Sequence, residues 1–198
     1  MIFAASIARL VQTVSSLMDT FLLEPTRITS NDRLVLEEVI LPYFAKEMSC
    51  QKFLFVGCAA YTQWYKELFQ HQEYWTIDPK KMKRQYGSER HIIDSIAHIG
   101  RYIAQDYFDV IVINGVIGFG LNRLGDIEQA VDACYAVLAR QGILLIGWND
   151  TAQRTPIDIR ALRAVSKFRE YAFEPLHTCH YRIEGSHRHT FSFYRKES

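Results

Sequence analysis

Lys52-Phe53-Leu54-Phe55-Val56-Gly57-Cys58-Ala59-Ala60 decides how the rest of the chain is read. Phe53 to Val56 is a short, continuous apolar run that stops at Gly57. Such a run suits a strand buried on both faces of a parallel sheet; a strand with one wet face alternates apolar and polar residues instead. Gly57 and the two alanines behind it let a ligand approach the main chain, and the N–H groups of a following helix are available to an anionic group.

Downstream, helical and extended patterns alternate. Thr62 to Gln70 reads as a helix, and Tyr74-Trp75-Thr76-Ile77 as a second strand stopped by Asp78-Pro79. His91 to Asp94 is a short third strand, and Ile96 to Ala104 is helical by spacing. Phe108 to Ile113 is a strand ending at Asn114-Gly115. Asp126 to Arg140 is a helix with Ile127, Ala130, Val131, Cys134, Val137 and Leu138 on one side, terminated by Gln141-Gly142. Ile143 to Ile146 is the next strand, and Pro156 to Glu170 is read as helical. The tail differs: Leu176 to Ile183 and His187 to Arg195 are extended runs joined by Glu184-Gly185-Ser186, an antiparallel hairpin signal. Strand–helix alternation implies a parallel sheet covered by helices on both faces.

Upstream, Ile7, Leu10, Val14, Leu17 and Phe21 recur at spacings of three and four, so residues 1–23 read as an amphipathic helix packed on the domain or on another subunit or, weakly, on a membrane surface. Ser30 or Asn31 caps a second helix with Asp32 in its first turn, running to about Lys46 with Pro42 as a kink or early stop. The expected division is a helical extension over residues 1–50 and an α/β domain over residues 51–198. The 198 residues are 48% hydrophobic, enough for a core, which excludes wholesale disorder. A net charge of +1 offers no overall basic footprint, so a nucleic acid partner is not expected. The four cysteines form no C-x-x-C pair, and a reducing cytoplasm is the simplest setting. His177, Cys179, His180, His187 and His189 crowd the tail, but strand alternation divides them between faces, so no metal site is expected.

In an open α/β sheet ligands bind beyond the carboxyl ends of the strands. Those ends carry Gly57-Cys58-Ala59-Ala60, Asp78, Asp94, Asn114-Gly115 and Trp148-Asn149-Asp150. Asp78 lies about 20 positions beyond the first loop, where an acidic residue accepts hydrogen bonds from ribose hydroxyls. Asp78 before Pro79 is also ordinary turn chemistry, and Asp94 is also an N-cap candidate.

On these residues the chain resembles the class I S-adenosylmethionine-dependent methyltransferases, over about Lys52 to Lys196. FLFVGCAAYT stands for the first glycine motif, YWTIDP for the ribose motif, HIIDS for the adenine-side motif and ACYAVLARQGILLIGWND for the fifth-strand region. The terminal hairpin matches that family's usual ending. The implied fold class is α/β: a doubly wound, mostly parallel seven-stranded sheet with a C-terminal antiparallel hairpin and an N-terminal helical extension. The resemblance implies S-adenosylmethionine as cofactor. Gly57, Cys58 and Ala59 would lie against its methionine part, with Tyr61 beside them; Asp78 would hold the ribose, and Pro79 would flank the adenine. Asp94 and Ser95 would face the adenine amine, and Asn114 and Gly115 would line the space toward the acceptor. Asn122, Trp148, Asn149 and Asp150 are candidate acceptor contacts. The motifs depart from the family's pattern: Phe55 replaces an acidic residue, and Ala59 and Tyr61 replace glycines. Arg140-Gln141-Gly142 replaces Pro-Gly-Gly, and Tyr61 would either close over the cofactor or fill its site.

The function this implies is methyl transfer to a small or medium acceptor by in-line displacement, the protein positioning donor and acceptor. No residue can be assigned as a general base. Two other readings stand beside it. One is a catalytically inactive module of the same fold that acts by binding, motivated by Phe55, Tyr61 and the apolar first segment. The other is an NAD(P)-dependent reductase, against which the missing G-x-G-x-x-G and the terminal hairpin both count.

Overall fold

A computed structural model describes residues 28–47, 49–185 and 187–197; the amphipathic segment expected over residues 1–23 lies outside them. Eight strands form one sheet: β1 (Lys52–Val56), β2 (Glu73–Ile77), β3 (Arg90–Ile92), β4 (Phe108–Asn114), β5 (Leu138–Asn149), β6 (Phe168–Glu170), β7 (His180–Arg182) and β8 (His189–Lys196). Their order is β3-β2-β1-β4-β5-β8-β6, with β7 also on β8. The first five are parallel to one another; β8 inserts antiparallel beside β5, pairing Ile143 with Arg195 through Asn149 with His189. β6 pairs with Tyr194–Lys196 and β7 with Thr190–Ser192, so the two short strands share the seventh position as one interrupted edge. The mostly parallel sheet and terminal antiparallel hairpin agree with the expected fold class, with that position split into two segments.

Strand alternation sends side chains to two cores. Leu54, Val56, Ile111 and Ile113 face one core, completed by Ile127, Val131 and other residues of α3 (Leu124–Val137). Phe53, Phe55, Val110 and Val112 face the other. Its cover is α1, a continuous helical segment built of an α-helical turn Asn31–Leu34, a π-helical stretch Val35–Ile40 and an α-helical stretch Leu41–Lys46. Pro42 neither stops nor ends this helix. It has no N–H to give to the preceding turn, and the wider π-helical turn lies just ahead of it. Leu36, Ile40, Leu41 and Phe44 of α1 are buried here with the aromatic stacks Phe53–Phe69 and Phe173–Phe193, whose ring centroids are 4.0 and 4.5 Å apart. Each such ring contributes about 1.5–3 kcal/mol by leaving water.

Several expected helices are shorter or differently wound. In place of the helix expected over Thr62 to Gln70 there are a 3₁₀ turn, Ala60–Thr62, and then α2 (Tyr65–Leu68). Ile96 to Ala104 is a 3₁₀ segment over Ile96–Arg101. α3 stops at Val137, short of Arg140, because Leu138 pairs with Phe108 and enters β5. The Lys196 ammonium donates to the carbonyls of Tyr135 and Leu138 there, where a cation suits the helix dipole. The helix expected over Pro156 to Glu170 does not form. That stretch holds two 3₁₀ turns, Ile159–Ala161 and Val165–Lys167, followed by β6. The Glu128 carboxylate on α3 accepts hydrogen bonds from the backbone N–H groups of Arg163 (2.8 Å) and Ala164 (2.7 Å), which diverts them from a helical ladder.

Candidate functional site

The carboxyl ends of β1, β2, β4 and β5 open into a cavity of about 650 Å³, roofed on one side by the start of α1. That volume falls within the ~300–1,000 Å³ range of small-molecule sites.

The loop after β1 forms the first wall. Gly57 takes φ +88°, and a Cβ there would come within 2.9 Å of the Val116 side chain, so only glycine fits. The loop is tied to β2: Gly57 N–H donates to the Ile77 carbonyl, and Cys58 N–H donates to Asp78 Oδ2, both at 2.9 Å. Asp78 is 8% exposed, and its other oxygen accepts from Lys80 N–H at 2.9 Å. Each carboxylate oxygen holds one backbone donor and retains a second lone pair, so Asp78 can accept further hydrogen bonds. Thr62 Oγ1 closes the loop by bonding both the N–H and the carbonyl of Ala59. Burial pushes the Cys58 thiol up to about 12, with Asp78 adding to the effect, so it is a small loop residue and not a nucleophile.

The structure brings together Gly57, Cys58, Ala59 and Tyr61 with Asp78 and Pro79 on the cavity wall. Ser95, Asn114, Gly115 and Asn149 line it as well. Four candidates stand elsewhere. Asp94 faces its own turn: its carboxylate accepts from His98 Nδ1 (2.8 Å), Ser95 N–H (2.7 Å) and the Tyr102 hydroxyl (3.0 Å). The His98 hydrogen bond, followed by that of Ser95, holds this carboxyl down at about 2. Trp148 is buried against the α3 side of the sheet, its indole N–H donating to Ser192 Oγ at 3.3 Å. Asp150 pairs with Arg160 (3.7 Å) and Arg188 (3.8 Å), and Asn122 is exposed outside the cavity.

Two buried polar residues of the cavity escaped the sequence reading. His189 opens β8 beside Asn149 and is 7% exposed. Its Nδ1 lies 2.7 Å from Asn149 Oδ1 and its Nε2 lies 3.0 Å from Asn114 Oδ1. Burial lowers this histidine to about 4; Asp32 opposes the shift and Arg33 assists it, so the ring is neutral at physiological pH. Gly147 makes room for the cluster, since a Cβ there would overlap Asn114 Oδ1 and come within 3.0 Å of His189 Nε2. The available signal was alternation: His189, Phe191 and Phe193 share the buried face of one strand.

The second missed residue is Arg33 on α1. It is 7% exposed, donates to the Tyr65 hydroxyl at 3.1 Å and lies 4.4 Å from the centroid of the Tyr61 ring. The hydroxyl in turn donates to Glu37 at 2.7 Å. Tyr61 therefore packs as a platform under a guanidinium at the cavity wall. Arg33 continues the i, i+3, i+7 line of Leu36 and Ile40, so a cation at a core position was the readable clue. Among the described residues no three His, Cys, Asp or Glu side chains converge as a metal site.

No protein-family model matches the chain, and no curated protein matches it in sequence. Solved structures do. The N-methyltransferase NodS from Bradyrhizobium japonicum WM9, in complex with S-adenosyl-L-homocysteine, superposes with a TM-score of 0.57 at 16% identity, over 86% of this chain and 94% of that one. A TehB-like S-adenosylmethionine-dependent methyltransferase from Corynebacterium glutamicum gives 0.57 at 16% identity, over 79% and 87%. The 1,6-didemethyltoxoflavin-N1-methyltransferase of Burkholderia thailandensis, with bound 1,6-didemethyltoxoflavin and S-adenosylhomocysteine, gives 0.55 at 13% identity, over 98% and 89%. The chain has the fold of the class I methyltransferases.

Proposed function

We propose that the protein is an S-adenosylmethionine-dependent methyltransferase acting on a small acceptor. One observation carries this reading: Asp78, at the carboxyl end of β2, is locked to the Cys58 N–H of the glycine loop and still has acceptor capacity facing a 650 Å³ cavity. The site fits the cofactor, because Asp78 keeps free acceptor lone pairs beside the Gly57 loop on the wall of the same cavity. Asp78 would hold the ribose hydroxyls, with Pro79 and Ser95 at the adenine end. Gly57, Cys58, Ala59 and Tyr61 would enclose the methionine part, and Asn114 with Gly115 would separate it from the acceptor. When bound, S-adenosylmethionine supplies an electrophilic methyl group with its leaving group attached, so the chain's task is to bind and orient. Asn149, at the far wall, belongs to the acceptor half. His189 is neutral and engaged at both ring nitrogens, which makes it a partner for amides and not a proton acceptor. An acceptor whose nucleophile carries a free lone pair at neutral pH needs no base.

Three buried cysteines, all four thiols unpaired, suit a reducing, cytoplasmic setting. Among the described residues no helix is long and apolar enough to cross a membrane.

Calorimetric titration tests the reading with S-adenosylmethionine, S-adenosylhomocysteine and NADH, on wild type and Asp78→Ala. We expect both sulfur ligands to bind, NADH not to, and Asp78→Ala to weaken binding at least about tenfold, the loss of one or two charge-assisted hydrogen bonds. Failure of both sulfur ligands to bind wild type would leave an inactive module as the better reading.

A further inference from the structure

Arg33 is a buried cation on the cavity wall, 7% exposed. A guanidinium has five N–H donors and keeps its charge at physiological pH. Nη1 gives one donor to the Tyr65 hydroxyl at 3.1 Å, and the central carbon lies 4.4 Å from the Tyr61 ring centroid. Among the described residues no carboxylate forms an ion pair with it; Glu37 is joined to it through the Tyr65 hydroxyl. A charge taken out of water without a partner is costly, and an anion brought to it offsets that cost. Nη2 lies just beyond β4, where Gly115 has no side chain to fill the space; a Cβ there would stand 3.6 Å from it. The cavity wall follows the order of the strands, from Asp78 after β2, through Gly57 and Tyr61 after β1 and Gly115 after β4, to Asn149 in β5 and His189 in β8. Arg33 meets that wall at Tyr61 and Gly115, where the cofactor half gives way to the acceptor half. Asp32 lines the same wall, which disfavours a doubly charged phosphate and leaves a singly charged carboxylate. A carboxylate also matches the planar fork of a guanidinium with two parallel hydrogen bonds.

We propose that Arg33 sets the acceptor class by pairing with a carboxylate on the acceptor, so that the substrates are small carboxylic acids. This rests on the methyltransferase reading for the division of the cavity, whereas the pairing itself rests on the buried guanidinium. The cofactor has a carboxylate of its own, but its amino-acid part is assigned to the β1 side, against Gly57 to Tyr61, and Nη2 lies on the β4 side. A neutral acceptor of the same shape, such as the corresponding carboxamide, leaves the cation unpaired.

The test uses the full chain, with and without saturating S-adenosylhomocysteine. The probes are acetate, benzoate and phenylacetate, each set against its own carboxamide, and inorganic phosphate. Affinities are read by ligand-observed NMR titration on wild type, Arg33→Leu and Arg33→Lys. At least one carboxylate should bind wild type about tenfold or more tighter than its carboxamide and than phosphate. Arg33→Leu should erase that preference. Arg33→Lys, which keeps the charge but loses the fork, should keep part of it. S-adenosylhomocysteine and 5′-methylthioadenosine, which lacks the amino-acid part, are titrated on the same proteins, and each should bind all of them within about threefold. No carboxylate preference in wild type, or a preference that survives in Arg33→Leu, would overturn the proposal. So would loss of S-adenosylhomocysteine from Arg33→Leu with 5′-methylthioadenosine retained, which would give the guanidinium to the cofactor's own carboxylate. Retention of 5′-methylthioadenosine shows that the variants fold. Failure of both nucleosides to bind wild type would count against the methyltransferase reading, and the carboxylate preference is then still read on the chain alone.

Discussion

His189 is buried at the start of β8, against the cavity wall. Its ordinary value is 6.5, and burial takes it to about 4 in the fold, so the unfolded chain binds the proton first. Folding stability therefore falls as pH drops from about 6.5 toward 4 and is untouched by this group above about 7. Asp32 and Arg33 of α1 are the charges that face it, with opposite effects. The full difference is about 3 kcal/mol. Urea unfolding from pH 7 to 4 should show wild type losing that much more stability than His189→Gln; parallel curves would show that the ring is not buried neutral. Asp78, Asn114 and the Gly57 loop were legible in advance, because strand ends in a parallel sheet have a known use and the residues follow apolar runs directly. His189 and Arg33 were not, because their roles depend on which distant element lies opposite. Asp94 was read as a cap or a ligand contact, but the cap of the following 3₁₀ segment is Ser95, whose hydroxyl accepts from Ala97 N–H, and the Asp94 oxygens are shared among His98, Ser95 and Tyr102.

At the scale of elements, period-two and continuous apolar patterns located the strands, while the stretch after β5, read as helical, forms no α-helix. Ile159, Leu162 and Val165 recur every three residues, and all are buried. That interval matches a 3₁₀ turn as well as an α-helical face. What decides between them is Glu128, which lies 35 and 36 residues away in sequence and takes the Arg163 and Ala164 N–H groups for itself. Local propensity contains no trace of such a partner. Glu128→Ala leaves two backbone donors unmatched, and we expect a loss of about 1–3 kcal/mol in urea unfolding. Glu128→Gln keeps one acceptor and should recover part of the loss. Faster amide hydrogen exchange at Arg163 and Ala164 should accompany both changes, and unchanged exchange in the alanine variant would show that Glu128 does not hold the turn.

Across the whole molecule, the sheet, α1 and the β5–β8 pair meet at one cavity, so a ligand there touches elements from most of the chain. Anything that binds only the folded state raises its stability, by about 2.7 kcal/mol at a hundred times the dissociation constant. For a domain of this size each kcal/mol moves the midpoint by about 2–4 °C. Thermal unfolding with saturating S-adenosylhomocysteine should therefore rise by several degrees in wild type and much less in Asp78→Ala; no rise in wild type would remove the cavity as its site. The interrupted seventh position has a separate consequence, for behaviour in a crowded solution. The longest strands, β5 and β8, are interior, whereas both rims of the sheet are three-residue strands: β3 on one side, β6 and β7 on the other. A neighbouring chain that tried to extend the sheet would find only three residues of continuous template at any point. Arg90 on one rim and Arg169 and Glu170 on the other add charge there. Short, charged rims discourage edge-to-edge pairing between copies.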